Sequence, residues 1–141
     1  MKPLFAYGTF RRTAWREAIL GARYPGEPAT LRGWRRVATR SGYLSLRETV
    51  VELGPVSGVL IALDALGWEI ADAWEEVPAY MRVDVVVDTM HGLVAAQMYV
   101  YADERHTQPI DEDRLTLLSD AEVEAAIAAF APTMRGLRER A

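Results

Sequence analysis

Residues 1–10 of the chain read MKPLFAYGTF, and this stretch contains an abrupt change of local structure. The apolar run that ends at Tyr7 is typical of a buried strand, yet Gly8, Thr9 and Phe10 follow it instead of ordinary polar turn residues. Glycine has no Cβ, so another group can approach the backbone closely at that point. The sequence therefore predicts either a turn that something packs against or a simple bend at the end of a strand.

Short strands with few helices make up the rest of the predicted chain. Apolar and β-branched runs predict strands at residues 2–7, 29–39 with a bend at Gly33, 43–46, 56–63, 80–87 and 93–101. Periodicity and capping signals predict helices over residues 13–20, capped by Thr13 and stopped by Gly21, and over residues 64–75, capped by Asp64. A last helix of about a dozen residues follows a capping box at Ser119 and Glu122 and is interrupted by Pro132.

This order of elements predicts an α+β fold. We expect a small mixed β-barrel with flanking short helices and a C-terminal helix, formed as a single domain over residues 1–141.

The composition narrows the classes of protein that fit. Cysteine is absent, which excludes disulfides and thiolate metal sites. His91 and His106 have no neighbours at metal-binding spacing, so no metal site is predicted. No apolar run approaches the roughly 18 residues of a membrane span, and the N-terminus does not read as a secretion signal. We therefore expect a cytoplasmic protein with no membrane partner.

Charge is distributed unevenly along the chain. Residues 1–47 hold ten Lys/Arg and two Asp/Glu, whereas residues 48–141 hold six and eighteen. We expect these charges to pair across neighbouring elements, with no nucleic-acid partner. The alternative is a nucleic-acid surface, which requires four arginines to share one exposed face. These are Arg32, Arg35, Arg36 and Arg40.

The segment DAWEEVPAYMR, residues 72–82, carries the strongest polar feature. Glu75 and Glu76 are adjacent where a helix must end before Pro78, and adjacent helical residues do not face the same way. A glutamate that points inward beside Trp74 would be desolvated, which raises its pKa and suits a general acid/base. The alternative is that both carboxylates are solvated.

Taken in order, several motifs resemble the γ-glutamylcyclotransferase-like family. They are Tyr7-Gly8-Thr9-Phe10, the strand VSGVLIALDAL from residue 56, Asp72-Ala73-Trp74-Glu75 and Tyr80-Met81-Arg82. The resemblance extends over residues 4–101. Phe10 replaces the commoner leucine, Tyr43-Leu44 stands where relatives often have Tyr-Pro, and Glu76 stands where many have glycine.

The resemblance implies a β-barrel with a cavity for a small-molecule γ-glutamyl substrate, and no metal or organic cofactor. Glu75, at the D-x-x-E position, is implied as the catalytic acid/base, with Glu76 as the alternative register. Tyr7, Gly8, Thr9, Phe10 and Tyr80 are implied as substrate-binding residues. The implied reaction is cyclisation to 5-oxoproline with release of an amine.

Other questions stay open at this point. The same fold can serve a non-catalytic binding module for a small carboxylate or amine metabolite, and the orientation of Glu75 discriminates the two functions. The polar loop over residues 103–113 is either a lid or a plain surface connection. Neither the leaving amine nor the oligomeric state follows from the sequence.

Overall fold

In a computed structural model of the protein, the structure describes residues 1–103, 105 and 107–141. The strands are β1 (Leu4–Ala6), β2 (Gly26–Leu31), β3 (Trp34–Ala38), β4 (Leu44–Glu48), β5 (Val56–Ile61), β6 (Tyr80–Thr89), β7 (Gly92–Tyr101) and β8 (Gln108–Pro109). The helices are α1 (Thr13–Leu20), α2 (Ala65–Trp74) and α3 (Asp120–Arg140), and a 3-10 turn covers Thr9–Arg11. Of the described helices, none combines the length and the hydropathy needed to cross a membrane.

Within the described residues, five strands close into a barrel in the order β1-β5-β2-β6-β7. Neighbouring strands are antiparallel except β1 and β7, which run parallel and close the barrel. A separate sheet, β4-β3-β8, joins β7 where the amide of Tyr101 donates to Ser45 Oγ at 2.9 Å. The mixed barrel with its flanking and C-terminal helices confirms the predicted α+β fold.

Strand β1 and the residue after it contribute to two separate cores, because successive side chains of a strand point to opposite faces. Phe5 and Tyr7 belong to the apolar cluster formed by the barrel strands. Leu4 and Ala6 belong to a second cluster, which includes Ile19 and packs the helices onto the barrel. The chain that follows β1 is therefore fixed from both sides.

Most of the helix-terminal residues that the sequence predicted are confirmed by the structure. Helix α1 begins at Thr13 and stops at Gly21, whose φ of 72° is left-handed. Its N-cap, however, is Arg12 without a side-chain cap bond, so the prediction that Thr13 is the cap was wrong. Asp64 caps α2, and the predicted capping box at Ser119 is present in α3.

The predicted interruption of the last helix at Pro132 was wrong. Helix α3 continues through the proline for 21 residues. Beyond the proline, Leu137 packs against the second cluster, between the helices and the barrel, which we call the helix-side core. Arg138 Nε donates a hydrogen bond to the Leu20 carbonyl at 2.7 Å. This packing outweighs the ~3 kcal/mol that an internal proline costs.

The predicted polar loop over residues 103–113 contains a short strand. Strand β8 lies within this segment and pairs with β3, Val37 opposite Pro109. A strand of two residues shows no alternation of apolar and polar residues, so this strand could not be predicted from the sequence pattern. Glu104 and His106 lie outside the described residues.

Helix α2 ends in a tight connection that leads directly into β6. Glu75 is its C-cap, Glu76 follows with φ 55°, and the Val77–Pro78 peptide bond is cis. The Ala79 amide donates to the Glu76 carbonyl at 2.9 Å. A left-handed backbone costs a residue with a Cβ roughly 1–2 kcal/mol, so glycine would adopt the conformation of Glu76 more readily than glutamate does.

We predict that Glu76→Gly raises the free energy of unfolding by about 0.5–1 kcal/mol, because relief of the left-handed strain exceeds the entropy that glycine loses on folding. Denaturant unfolding of the purified variants measures the change. Glu76→Ala is the matched control, since it removes the carboxylate and keeps the Cβ. Equal stabilisation by alanine would show that charge, and not backbone strain, is responsible.

Candidate active site

The residues after β1 and the end of α2 meet at a small cavity. Its volume is about 30 Å³, and it is lined by Leu4, Phe5, Ala6, Tyr7, Gly8, Thr9, Phe10, Glu75 and Tyr99. The structure therefore brings together Glu75 and four residues near position 8 that the sequence selected. One water needs about 10–15 Å³, so in this closed arrangement the cavity has room for little more than water.

Asp72 positions the end of α2 against the barrel. Its carboxylate accepts a hydrogen bond from the Tyr99 hydroxyl on β7. It also forms an ion pair with Arg82 on β6, with a nitrogen–oxygen distance of 2.7 Å. The Arg82 guanidinium also lies over the Trp68 ring at 4.5 Å. Arg82, on a barrel strand, therefore pairs with a carboxylate on helix α2. These contacts hold Glu75, one helical turn farther along, at the cavity.

Glu75 and Glu76 have different environments. Glu75 is partly buried and lines the cavity, whereas Glu76 is exposed. Burial raises the pKa of Glu75 to about 8, and the carboxylates of Asp72 and Glu76 add to the rise. No described residue donates a hydrogen bond to the Glu75 carboxylate. The cavity therefore contains an uncommitted carboxyl group that exchanges a proton near neutral pH.

The two predicted tyrosines are already engaged by backbone carbonyls. The buried Tyr7 hydroxyl donates to the Tyr99 carbonyl, and the Tyr80 hydroxyl donates to the Leu44 carbonyl at 2.8 Å. Burial raises the pKa of both phenols, and the nearby Glu75 charge raises it further. Both rings stay neutral and lie close to Glu75, but their protons are directed at the protein. Tyr7 lines the cavity, and Tyr80 is outside its lining.

The close approach expected at Gly8 is made by the chain itself. A Cβ at Gly8 would lie 3.3 Å from the Leu115 carbonyl oxygen and 3.7 Å from Leu44 Cδ2. Thr9 begins the 3-10 turn, and Phe10 is buried in the helix-side core while it also borders the cavity. In this arrangement glycine makes room for the segment before α3.

Sequence reasoning missed Tyr99 and Leu115. Tyr99 belongs to no motif, although its place on a strand beside β1 is a signal that strand pairing would supply. Leu115 lies between β8 and α3 in a stretch without periodicity, so nothing local indicated that it covers Gly8.

The N-terminal arginines pair with acidic residues from the second part of the chain. Arg32 lies 3.7 Å from Glu52, Arg35 lies 3.5 Å from Asp111, and Arg36 lies 2.9 Å from Asp113. These pairs are the cross-element pairing that the charge distribution predicted. Arg40 is exposed. Among the described residues, no group of His, Cys, Asp and Glu side chains is arranged to hold a metal ion.

Comparison with known proteins places this geometry in a family. The family model described as "Gamma-glutamyl cyclotransferase, AIG2-like" matches residues 4–118. YkqA from Bacillus subtilis has a similar structure, with a TM-score of 0.59 and 19% identity over 80% of this chain and 39% of that one. A structure described as gamma-glutamyl cyclotransferase has a TM-score of 0.64 and 14% identity over 97% of this chain and 86% of that one. An AIG2-like protein from Mus musculus has a TM-score of 0.60 and 18% identity over 72% and 78%.

The three similar structures differ in how much of their own length this chain covers. The chain spans 39% of the length of YkqA and most of the length of the other two proteins. At such identities they show the fold alone, and no curated protein matches the chain. The family model, in contrast, matches most of the sequence, from β1 to the segment that covers Gly8. The chain therefore belongs to the AIG2-like gamma-glutamyl cyclotransferase family.

Proposed function

We propose that the protein is a γ-glutamylcyclotransferase that converts a γ-glutamyl amine or peptide to 5-oxoproline and releases the amine. The observation that carries the proposal is the uncommitted carboxyl group of Glu75, which shares a cavity with Gly8. A general acid/base works best when its pKa lies near the working pH, and Glu75 meets this condition.

The reaction needs one proton carrier and a bent substrate. In the proposed mechanism, ionised Glu75 takes a proton from the α-ammonium group of the substrate. The freed amine attacks the γ-carbonyl carbon within the same molecule, and the bond between that carbon and the leaving nitrogen breaks. Protonated Glu75 then gives its proton to the leaving nitrogen. Holding the reacting atoms together in a dry cavity supplies much of the rate.

The remaining site residues have supporting roles in this proposal. The backbone amides of the turn at Gly8 and Thr9 would suit a substrate carboxylate once the segment over Gly8 has moved, and Phe10 contributes an apolar wall. Tyr7 and Tyr80 shape the surroundings of Glu75 through their fixed hydroxyl groups. Since the cavity holds only about 30 Å³, substrate entry requires the segment over Gly8 to move.

A second candidate function is a non-catalytic binding module for a small carboxylate or amine metabolite. The observation in its favour is the small size of the cavity. The partial burial of Glu75 favours the enzyme, because a module that only binds has no need for a desolvated, unpaired carboxyl group.

We predict that Glu75→Gln lowers the turnover of γ-glutamyl-alanine by ~100- to 10,000-fold, as expected for loss of a general acid/base. Release of 5-oxoproline, measured by chromatography, gives the rate. Glu76→Gln is the matched control, because Glu76 is exposed beside the site, and it should retain most of the activity. The reverse pattern would assign the role to Glu76, and binding of substrate without turnover by the native protein would favour the binding module.

We also predict that the stability of the protein depends on pH through Glu75. Its folded pKa of about 8 exceeds the ordinary value of 4.5, so the folded state binds more protons at intermediate pH. The stability contributed by the protonated carboxyl is complete below pH 4.5 and is lost as pH rises toward 8. Glu75→Gln should therefore gain stability relative to the native protein over this range, on the order of 1–3 kcal/mol after allowance for partial exposure.

Thermal unfolding at a series of pH values tests this dependence. Glu69→Gln is the control, because Glu69 is exposed on the same helix, and its difference from the native protein should be flat. A flat difference for Glu75→Gln as well would show that water reaches this carboxyl group freely.

A further inference from the structure

The segment between β8 and α3, which we call the strap (residues 110–118), is fastened across the site at several points. Its first amide, Ile110, donates to the Arg36 carbonyl at 3.0 Å. Asp111 and Asp113 then form ion pairs with arginines, and the Leu115 carbonyl lies over Gly8. The strap thus packs against the turn at Gly8, which lines the small cavity.

Asp113 lies between two arginines that come from different parts of the fold. Arg11 Nη1 and Arg36 Nη2 approach the same carboxylate oxygen, Oδ1, at 2.7 and 2.9 Å. The arginine side chains are 18% and 11% exposed, whereas the Asp113 side chain is 52% exposed. The two cations are therefore built into the protein, and the anion between them is the more accessible and replaceable partner.

The guanidinium groups keep further hydrogen-bonding capacity. Arg36 Nε is buried and has no partner among the described residues, and Nη2 makes only a long contact of 3.4 Å to the Ser57 carbonyl besides its bond to Asp113. Burial lowers the pKa of Arg36, which reflects the cost of holding this charge away from water. Arginine recognises carboxylates best through two parallel N–H donors, and Arg36 uses one.

An open groove borders Arg11, one of the two arginines that hold Asp113. Its volume is about 620 Å³, which is in the range of small-molecule sites. Arg11, Thr30, Ser57 and Leu115 are among the residues that line it. Leu115, in the strap, lines the groove. Its carbonyl oxygen also lies close to Gly8, which lines the small cavity. The strap that Asp113 fastens thus lies between the groove and the candidate active site.

We propose that Arg11 and Arg36 form a carboxylate-binding site that Asp113 occupies as an internal ligand, and that a carboxylate on the leaving part of the substrate displaces it. This inference rests on the proposed function. Exchange of one carboxylate for another keeps both cations paired, so the strap opens at little electrostatic cost. A neutral leaving amine would leave two partly buried cations without an anion, and the site selects against it.

Binding of glutarate, a simple dicarboxylate, tests the site without turnover. In the native protein, Asp113 occupies the arginine site most of the time, so the apparent affinity for an added carboxylate is lowered in proportion to the fraction of free sites. Asp113→Asn removes this competitor. Calorimetry should therefore show that the variant binds glutarate ~10-fold more tightly than the native protein does. Asp111→Asn is the matched control, since it removes the same charge from the same strap next to Arg35, and its affinity should stay within about twofold. Adding Arg36→Gln to Asp113→Asn should abolish the gain.

Three binding results would overturn the proposal. They are equal gains in the two aspartate variants, a gain that survives Arg36→Gln, and a folding defect in Asp113→Asn. Equal gains would reflect general charge, a surviving gain would exclude Arg36, and a folding defect would make Asp113 a structural clasp.

Kinetics with a pair of substrates tests the selectivity. γ-Glutamyl-alanine carries a carboxylate on its leaving part and γ-glutamyl-ethylamine does not. The ratio of their kcat/KM values should fall ~10-fold in Arg36→Gln, with the loss in KM, as expected for one charge-assisted contact. An unchanged ratio would contradict the proposed selectivity. If the native protein turns over neither substrate, the proposed function fails, while the glutarate measurements still decide whether the arginine site exists.

Discussion

The carboxylate of Asp72 is the interaction on which the candidate site depends. It joins the end of α2 to two barrel strands, through the Tyr99 hydroxyl on β7 and the Arg82 guanidinium on β6. The edge contact of the Trp74 and Phe130 rings also holds the last turn of this helix, before the chain leaves it through the left-handed residue Glu76. Asp72 therefore sets the position of Glu75 while its own hydrogen-bonding capacity is used by the protein.

The same arrangement gives different environments to the carboxyl groups of Asp72 and Glu75, which are three residues apart. Asp72 has a cation and a hydroxyl group as partners, so its carboxylate oxygens are engaged by the protein. Glu75 has neither among the described residues, and it is desolvated and repelled by the Asp72 charge. Neighbouring carboxyl groups in such different environments are typical of acid/base sites, which supports the role proposed for Glu75. The D-x-x-E spacing thus has a physical meaning beyond its value as a motif.

The sequence predicted the parts of the fold and site that depend on local patterns. The bounds of α1, the Asp64 cap and the Ser119 capping box follow from residues near each other in the chain. The meeting of Gly8 with Glu75 followed only from a family resemblance, because no local rule joins positions so far apart. Pro132 inside α3 and Leu115 over Gly8 were missed because tertiary packing, which the sequence does not display, decides both.

Burial of Glu75 also couples its protonation to the openness of the site. Its pKa is high because water is excluded, so an arrangement that admits water around this carboxyl would lower the pKa toward 4.5. The closed arrangement then binds a proton more tightly than the open one, and by linkage a rise in pH favours opening. In the proposed mechanism, a substrate that enters with its α-ammonium group would meet a carboxylate that hydration has ionised. Closure afterwards would desolvate the pair and drive the proton toward Glu75, which is the direction that the first step of the proposed cyclisation requires.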